Sequence, residues 1–268
     1  MARDEVMKNI SNTILKTIPK AVLKIICLQF ILIGAVSANI CNNDQDVAKI
    51  LSQTSIVNFE QSLMDCKFDP LDHSKVIMAY AQWIPVKDEP EQGAYYLNIL
   101  KFNKADLKVF YNYVVRGSIV SDAISLESIQ LDTANYNITR SNRALGVRLN
   151  YSGHSQPNPF SMQVLNLYDL KNKKKILDSL IIERYRAETD TRCNAAVEER
   201  SSTLMMQGNK TKNYSDIRVN SKLKSYEMRG TRDDCKEMNQ KLSQQSFALK
   251  FDGQSYQFPK KLKDDYQY

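Results

Sequence analysis

The chain has 268 residues, of which 43% are hydrophobic and 25% charged, and its formal net charge is +7. These values are typical of a folded protein with one or two domains, and they exclude a chain that is disordered throughout.

The start of the chain has the order of a secretory signal. Several basic residues precede an apolar run at residues 25–36, which is followed by Ser37 and Ala38. Basic, apolar and small residues in this order predict a signal peptide over residues 1–38, with cleavage before Asn39. The apolar run is 12 residues long, and a bilayer crossing needs about twenty. An N-terminal membrane anchor is the alternative.

The predicted signal peptide carries part of the positive charge. It holds five basic and two acidic residues, so the rest of the chain has 32 basic and 28 acidic residues, a net charge of +4. A surplus of this size does not indicate a nucleic-acid partner or an anionic surface. We therefore expect no nucleic-acid binding, and no stable membrane insertion after the signal is cleaved.

Four cysteines follow the predicted signal peptide: Cys41, Cys66, Cys193 and Cys235. An even number in an exported chain predicts two disulfides. Three connectivities are possible, and we favour Cys41–Cys66 with Cys193–Cys235 because each pair closes a local loop. A zinc site is the alternative, but the sequence lacks the Cys-x-x-Cys spacing and the adjacent histidines that zinc sites use. We predict no metal and no other cofactor.

The first segment after the signal is predicted to be helical. Asn43 or Asp44 can cap a helix that continues to Leu51. This helix and the loop around Cys66 define a predicted N-terminal helical segment with a disulfide, residues 39–75.

A β-rich domain is predicted for residues 76–268. Residues 107–115 alternate between apolar and more polar side chains, as expected for a strand with one buried face. The other strand-like runs are rich in β-forming residues and end at polar or proline-containing loops. They cover residues 76–84, 95–102, 124–131, 144–151, 162–170 and 175–186.

Two turns stand out in the β-rich domain. The lysine-rich stretch at 171–175 is predicted to be the solvated tip of a hairpin, with an acidic partner as the alternative. Asp252 and Gly253 lie between alternating apolar residues and predict a tight type I′ hairpin, in which both turn residues have positive φ. The predicted fold is mainly β: an antiparallel sandwich, barrel or partial propeller, with a short N-terminal helical segment.

Two segments in the last third of the chain carry a family resemblance. Asn213-Tyr-Ser-Asp-Ile-Arg-Val219 and Leu249-Lys-Phe-Asp-Gly-Gln-Ser-Tyr256 resemble strand motifs of uncharacterised exported bacterial β-rich proteins, and they are distantly similar to FG-GAP-type propeller repeats. The resemblance implies β structure and export, and it implies no activity. The calcium-binding loop of that family is rich in Asp and Gly. Residues 209–213 contain no carboxylate here, so calcium binding is not carried over.

The stretch Gly153-His154-Ser155 matches the first three positions of a Gly-x-Ser-x-Gly nucleophile elbow. The second glycine position is Pro157, and Pro159 follows, so the helix that supports such a serine is not expected. His154 is the variable residue beside the serine, which leaves only His73 as a general base. We interpret the stretch as a polar loop and predict no catalytic residue.

Carboxylates and tyrosines are the other candidates. A pair of carboxylates could serve a glycosidase, although arginines interleaved with them favour a salt-bridged strand face. Tyrosines on neighbouring strands could bind a glycan or a protein, although they are also common in β-sheet cores. The carboxylates are Glu183, Glu188, Asp190, Glu198 and Glu199, and the tyrosines are Tyr95, Tyr96, Tyr111 and Tyr113.

These observations predict an exported protein, periplasmic or secreted, that binds an envelope or secreted protein partner and has no catalytic activity. An inhibitor-like or immunity-like role fits this size and location. The alternative is a secreted hydrolase that acts on cell-wall or glycan bonds through paired carboxylates.

Overall fold

The computed structural model describes residues 40–56, 60–119, 121, 123–231 and 233–268. The predicted signal peptide, residues 1–38, lies outside the described residues. The chain divides into two units, and the described part of the first is a turn in which the N–H of Asn43 donates to the carbonyl of Ile40. The second unit, Asp44–Tyr268, contains all the helices and strands of the described residues.

Helix α1 (Asp44–Leu51) is where the sequence predicts it, and it buries Val47, Ile50 and Leu51. Its first turn contains acidic residues, which the positive end of the helix dipole favours. A 3-10 turn at Gln61–Leu63 then leads directly into a strand. None of the helices in the described part of the chain has the length and apolar character that a membrane crossing requires.

The first sheet has four antiparallel strands in the order β1-β2-β3-β4. They are β1 (Met64–Asp69), β2 (Asp72–Val86), β3 (Glu89–Asn103) and β4 (Val109–Ile119). β1 lies within the segment predicted to be helical. It is an edge strand with buried side chains only at its two ends, so its sequence lacks the alternation that identifies the other strands.

The second sheet has eight antiparallel strands in the order β14-β13-β12-β11-β10-β9-β8-β5, and β6 pairs with β7 in a separate small sheet. The bounds are β5 (Ile124–Asp132), β6 (Asn137–Thr139), β7 (Asn142–Arg143), β8 (Leu145–Gly153), β9 (Phe160–Asp169), β10 (Lys174–Thr189), β11 (Ala195–Thr211), β12 (Tyr214–Thr231), β13 (Asp234–Phe251) and β14 (Tyr256–Gln257). A short helix, α2 (Lys263–Tyr266), follows the last strand.

Polar contacts join the two sheets. The Lys67 ammonium donates to the carbonyl of Leu131 at 2.6 Å, and the Leu131 N–H donates to the Asp65 carboxylate at 2.7 Å. The Tyr111 hydroxyl donates to the Leu170 carbonyl at 2.7 Å. The mainly β, antiparallel prediction is confirmed: the arrangement is sandwich-like, and the strands of the described residues do not close into a barrel.

The predicted tight turn at Asp252 and Gly253 is a longer loop in the structure. Asp252 and Gly253 belong to a four-residue loop, because Phe251 pairs with Tyr256. Gly253 has a φ of 108° but Asp252 is not in the positive-φ region, so the type I′ prediction is wrong. The Asp252 carboxylate instead accepts the N–H groups of Gln254 and Ser255, and this side-chain turn fixes the loop.

The hairpin tip at 171–175 is present, and part of it contacts the first sheet. Lys173 donates to the carbonyl of Asn112 at 3.0 Å, and its ammonium lies 5.2 Å from the centroid of the Tyr111 ring. Lys175 pairs with Asp178 at 2.7 Å. Lys171 is exposed, as expected for a solvated turn.

Strands β11, β12 and β13 are the longest among the described residues, with 17, 18 and 18 residues. Their ends near the β11–β12 turn contribute Ile217, Val219, Phe247 and Leu249 to a core that Tyr266 of α2 completes. Their other halves extend beyond this core, and the first 11 residues of β13 are all exposed. We call this part of the second sheet the extension.

A disulfide lies at the far end of the extension. Cys193, in the β10–β11 loop, is bonded to Cys235 of β13 with the two Cα atoms 5.6 Å apart, which confirms this predicted pair. Cys41 and Cys66 each take part in a disulfide as well. Cys235 pairs with Gly230 across the hairpin, and a Cβ at Gly230, whose φ is +134°, would collide with the Asp234 carbonyl oxygen.

A buried carboxylate organises the start of the second sheet. Asp132 accepts hydrogen bonds from the N–H of Ala134, the hydroxyl of Tyr136 and the guanidinium of Arg148, all at 2.7–2.9 Å. Burial opposes the ionisation of Asp132, but these hydrogen bonds outweigh it and hold the pKa below its usual value of 3.8. The ionised form of Asp132 therefore stabilises the fold.

The first prediction concerns the Cys193–Cys235 bridge. The bridge joins residues separated by 42 positions, and a loop of that length constrains the unfolded chain by about 4 kcal/mol. We expect Cys193→Ala/Cys235→Ala to lower the free energy of unfolding by about 2–4 kcal/mol in urea titrations. Hydrogen exchange should accelerate first at residues 226–238. An unchanged urea midpoint would contradict the prediction.

The second prediction concerns pH. A carboxyl whose pKa is lower in the folded state gives stability that is present above its unfolded pKa and is lost as the pH falls through its folded pKa. Asp132→Asn should lower the free energy of unfolding by about 2 kcal/mol at pH 7, because Arg148 and Tyr136 lose a charged acceptor. The difference from the wild type should shrink as the pH falls below about 4. A difference that stays constant from pH 7 to pH 3 would refute this role.

Candidate functional site

The Gly153-His154-Ser155 stretch ends β8 and enters the loop to β9. This loop connects two neighbouring antiparallel strands, since Gly153 pairs with Phe160, whereas a nucleophile elbow connects a strand to a helix. The Ser155 hydroxyl accepts the Asn158 N–H at 3.3 Å, which is a contact within the loop. The prediction of a polar loop is confirmed.

His154 instead contacts a serine that the sequence analysis did not single out. Its Nε2 lies 2.8 Å from the Ser125 hydroxyl, which donates to Glu127 at 2.5 Å. Glu127 lies 3.6 Å from the same Nε2. In a catalytic triad the acid binds the other ring nitrogen, and the His154 side chain is 72% exposed. Hydrogen bonds from Ser125 and Ser152 lower the pKa of Glu127. Ser125, Glu127 and His154 therefore form a hydrogen-bonded cluster at the surface.

The five candidate carboxylates do not converge on one site. Glu188 and Glu198 lie on one face of the second sheet and Glu183 and Glu199 on the other, because alternate residues of a strand point to opposite faces. Asp190 lies in the β10–β11 loop, where the Asn194 amide donates to it at 2.7 Å.

Two of these carboxylates have partners on neighbouring strands. Arg186 is directly opposite Glu198 and donates to it at 2.7 Å, and the Tyr226 hydroxyl donates to Glu199 at 2.9 Å. Burial, followed by this hydrogen bond, raises the pKa of Tyr226 to about 12. The interpretation of this region as a salt-bridged strand face is confirmed for Arg186 and Glu198.

The candidate tyrosines are largely packing residues. Tyr95 packs edge-to-face on Trp83 with ring centroids 5.0 Å apart, and Tyr113 packs on Tyr168 of the second sheet at 6.3 Å. Tyr111 donates to the second sheet through its hydroxyl. Tyr96 is half-buried. These contacts agree with the core interpretation.

A groove of about 740 Å³ crosses one face of the second sheet and reaches the extension. It begins at Ile124 of β5, passes Phe160 of β9 and Glu198 of β11, and ends at Lys241 of β13. We call it the transverse groove.

A second cavity, of about 410 Å³, shares Glu198, Ser225 and Lys241 with the transverse groove and also contains Arg184 and Arg200. We call it the arginine pocket. Most of its residues lie in two rows on one face of the sheet, and Glu199 and Lys224 belong to the row between them. In one row Arg184 faces Arg200, then Leu223, then Ser243, and in the other Glu198 faces Ser225, then Lys241.

The two facing arginines have different surroundings. Arg200 is buried, with 6% of its surface exposed. It donates to the backbone carbonyl of Asp265 and lies 4.0 Å from the centroid of the Tyr266 ring. Its buried Nε has no hydrogen-bond partner among the described residues. Arg184 is half-buried, and burial together with the positive charges of Arg200 and Arg186 lowers its pKa.

The outer edge of β13 is the other unusual feature. β14 pairs with β13 only at Lys250 and Phe251, so residues 234–249 have β12 on one side and no strand of the described chain on the other. A bulge interrupts the β12–β13 register near Asn239, which has a φ of 56°. From Lys241 to Leu249 the register is regular.

No group of histidine, cysteine or carboxylate side chains in the described part of the chain is arranged to hold a metal ion. No protein-family model, curated protein or solved structure matches the chain.

The sequence analysis missed the arginine pocket and the β13 edge. Arg184 and Arg200 are 16 positions apart, and only the strand register brings them face to face. The edge has one signal in the sequence, the uncharged run Leu-Ser-Gln-Gln-Ser-Phe-Ala-Leu at residues 242–249.

Proposed function

We propose that this is an exported protein, periplasmic or secreted, that binds a partner protein at the open edge of β13 and carries out no catalytic step. The order of basic, apolar and small residues at its start supports export. The disulfide-bonded cysteines support a compartment outside the reducing cytosol.

The observation that carries the proposal is the composition of the edge. Exposed edge strands pair readily with other chains, and proteins usually protect them with charges, prolines or bulges. The first half of β13 has such protection, since it contains Lys236, Glu237 and the bulge at Asn239. Residues 242–249 have no charge, no proline and no bulge. An unprotected edge of eight residues is suited to pairing with a strand of a partner.

Leu242 offers an apolar side chain that a bound partner could cover. It is 72% exposed, and its burial by a partner would contribute about 2 kcal/mol to binding. A cavity of about 670 Å³ reaches Leu242 and Gln244 and extends across the neighbouring strands to the two arginines of the arginine pocket. A bound strand would gain backbone hydrogen bonds along β13 and specificity from contacts of this kind.

The hydrolase alternative gains no support from the carboxylates. A glycosidase needs two carboxyl groups on either side of one bond. Glu198 is engaged by Arg186, and Glu199 lies on the opposite face of the sheet. Binding is therefore the function that the geometry supports best.

The third prediction uses paired proline substitutions. Along β13 successive N–H groups point alternately to β12 and to the open side, so one of Ser243 and Gln244 donates inward and the other outward. Of Ser243→Pro and Gln244→Pro, one should unfold the hairpin and the other should keep the wild-type melting temperature. The folded variant should fail to capture the partner that wild-type protein captures from envelope extract.

A side-chain pair provides the matched control. Leu242→Asp should reduce capture at least tenfold, whereas Met205→Asp should not, because Met205 is also exposed (46%) but lies on the inner strand β11. Equal capture by wild type, the folded proline variant and Leu242→Asp would refute the edge. Turnover of peptidoglycan or an ester substrate that Glu198→Gln abolishes would instead establish the hydrolase.

A further inference from the structure

Several polar side chains in the arginine pocket have no partner. Arg184, Lys241, Ser225 and Ser243 line this one cavity, and none of them makes a side-chain hydrogen bond or ion pair with the described part of the chain. From this arrangement we propose that the arginine pocket binds the oxyanion group, a carboxylate or a phosphate, of a small molecule, with Arg184 as its main contact and Arg200 beside it.

The first argument is electrostatic. Like charges directly opposite each other on neighbouring strands destabilise a sheet, and Arg184 is directly opposite Arg200. Arg186 adds a third guanidinium two residues along β10 on the same face, but Glu198 neutralises it at 2.7 Å. Arg184 has no such carboxylate within ion-pair distance in the described residues. A bound anion would remove the repulsion between Arg184 and Arg200.

The second argument is the buried Nε of Arg200. A buried donor without an acceptor costs about 1–3 kcal/mol. Arg200 already uses one terminal nitrogen on the Asp265 carbonyl and stacks on Tyr266, so its position is fixed. Such a cost is tolerated at binding sites, where a ligand or a small adjustment on binding supplies the missing acceptor.

The third argument is the chemistry around the two arginines. The planar guanidinium donates two parallel hydrogen bonds to a carboxylate or a phosphate. The Lys241 ammonium adds a further positive charge beside the two arginines. The hydroxyls of Ser225 and Ser243 can donate hydrogen bonds to further oxygens of the ligand. The acidic groups near Arg184 are Glu198, Glu199 and Asp265. Glu198 is paired with Arg186, Glu199 accepts the Tyr226 hydroxyl, and the backbone carbonyl of Asp265 accepts from Arg200. The unpaired side chains are therefore cationic or neutral donors.

The size of the cavity indicates a small molecule. A volume of about 410 Å³ lies within the range of about 300–1,000 Å³ that small-molecule sites occupy. The pocket continues into the transverse groove through Glu198, Ser225 and Lys241. A ligand can thus place its anionic group at Arg184 while the rest of it extends toward the groove.

The fourth prediction is tested with three simple probes: inorganic phosphate, acetate and glucuronate. Each is titrated to 50 mM into the ¹⁵N-labelled protein with its disulfides intact, and the arginine Nε–H resonances are followed by NMR. We expect the Arg184 resonance to shift saturably with phosphate or with both carboxylates. The probe that saturates the shift at the lower concentration shows whether the pocket prefers a phosphate or a carboxylate.

Three variants make the test specific. Arg184→Gln should weaken binding about tenfold or more, as expected for loss of a charge-assisted hydrogen bond. Lys241→Gln, at an exposed position that the fold does not need, should weaken it several-fold. Arg218→Gln removes the same charge from the opposite face of β12 and should leave binding unchanged.

Two results would overturn the proposal. One is the absence of a saturable shift with all three probes. The other is binding that Arg184→Gln and Lys241→Gln leave at the wild-type level, or that Arg218→Gln weakens equally, since either would indicate non-specific charge screening.

Discussion

The feature on which the rest of the structure depends is the continuous hydrogen-bonded ladder formed by β10 to β13. These strands have 16 to 18 residues each, and their pairing continues from the core to the Cys193–Cys235 bridge. Because the side-chain period of a strand is two, the register that buries Ile217 and Val219 in the core also decides which side chains share a face further along. The row that brings Arg184 to Arg200, and the other rows before the bulge near Asn239, follow from the register of these strands.

The ladder has to remain ordered where it buries little apolar surface. In the extension, Ala187, Val197 and Cys193 are among the few buried side chains, so hydrophobic burial contributes less there than in the core that includes Ile217 and Tyr266. Backbone hydrogen bonds between neighbouring strands and the covalent bridge at the far end replace that contribution. The extension is thus held at both ends, by the core and by the disulfide. The arginine pocket and the start of the β13 edge lie between these two ends, and the edge continues into the core at Phe247 and Leu249.

This division explains what could be predicted from the sequence. Helix α1 and strands such as β2 and β9 have buried faces, so their apolar pattern identified them. The exposed halves of β11 to β13 have no such pattern and were missed. Turn-forming residues indicated where a turn occurs but did not give its length or type. Asp252 used its side chain to form a four-residue loop, while Lys212 and Asn213, with φ of 51° and 69°, formed a two-residue turn without the glycine that signals one. The Cys193–Cys235 pairing was predictable from local spacing, but the arginine pocket was not, because it depends on register.

The same register argues that the two proposed sites act separately. The row that contains Arg184 reaches Ser243 on β13, within the open edge, after crossing β11 and β12. With about 4.8 Å between strands, Ser243 lies about 14 Å from Arg184, and a strand added at the edge would lie about 19 Å away. An acidic side chain extends only about 5 Å from its backbone, so a partner strand at the edge cannot supply the anion for Arg184. The proposed oxyanion would therefore come from a ligand that approaches the face of the sheet, while the proposed partner strand would approach its edge, although one cavity is lined by residues of both sites. Because both sites use the same four strands, a ligand that fixes β10 against β11 can still affect edge binding by stabilising the ladder.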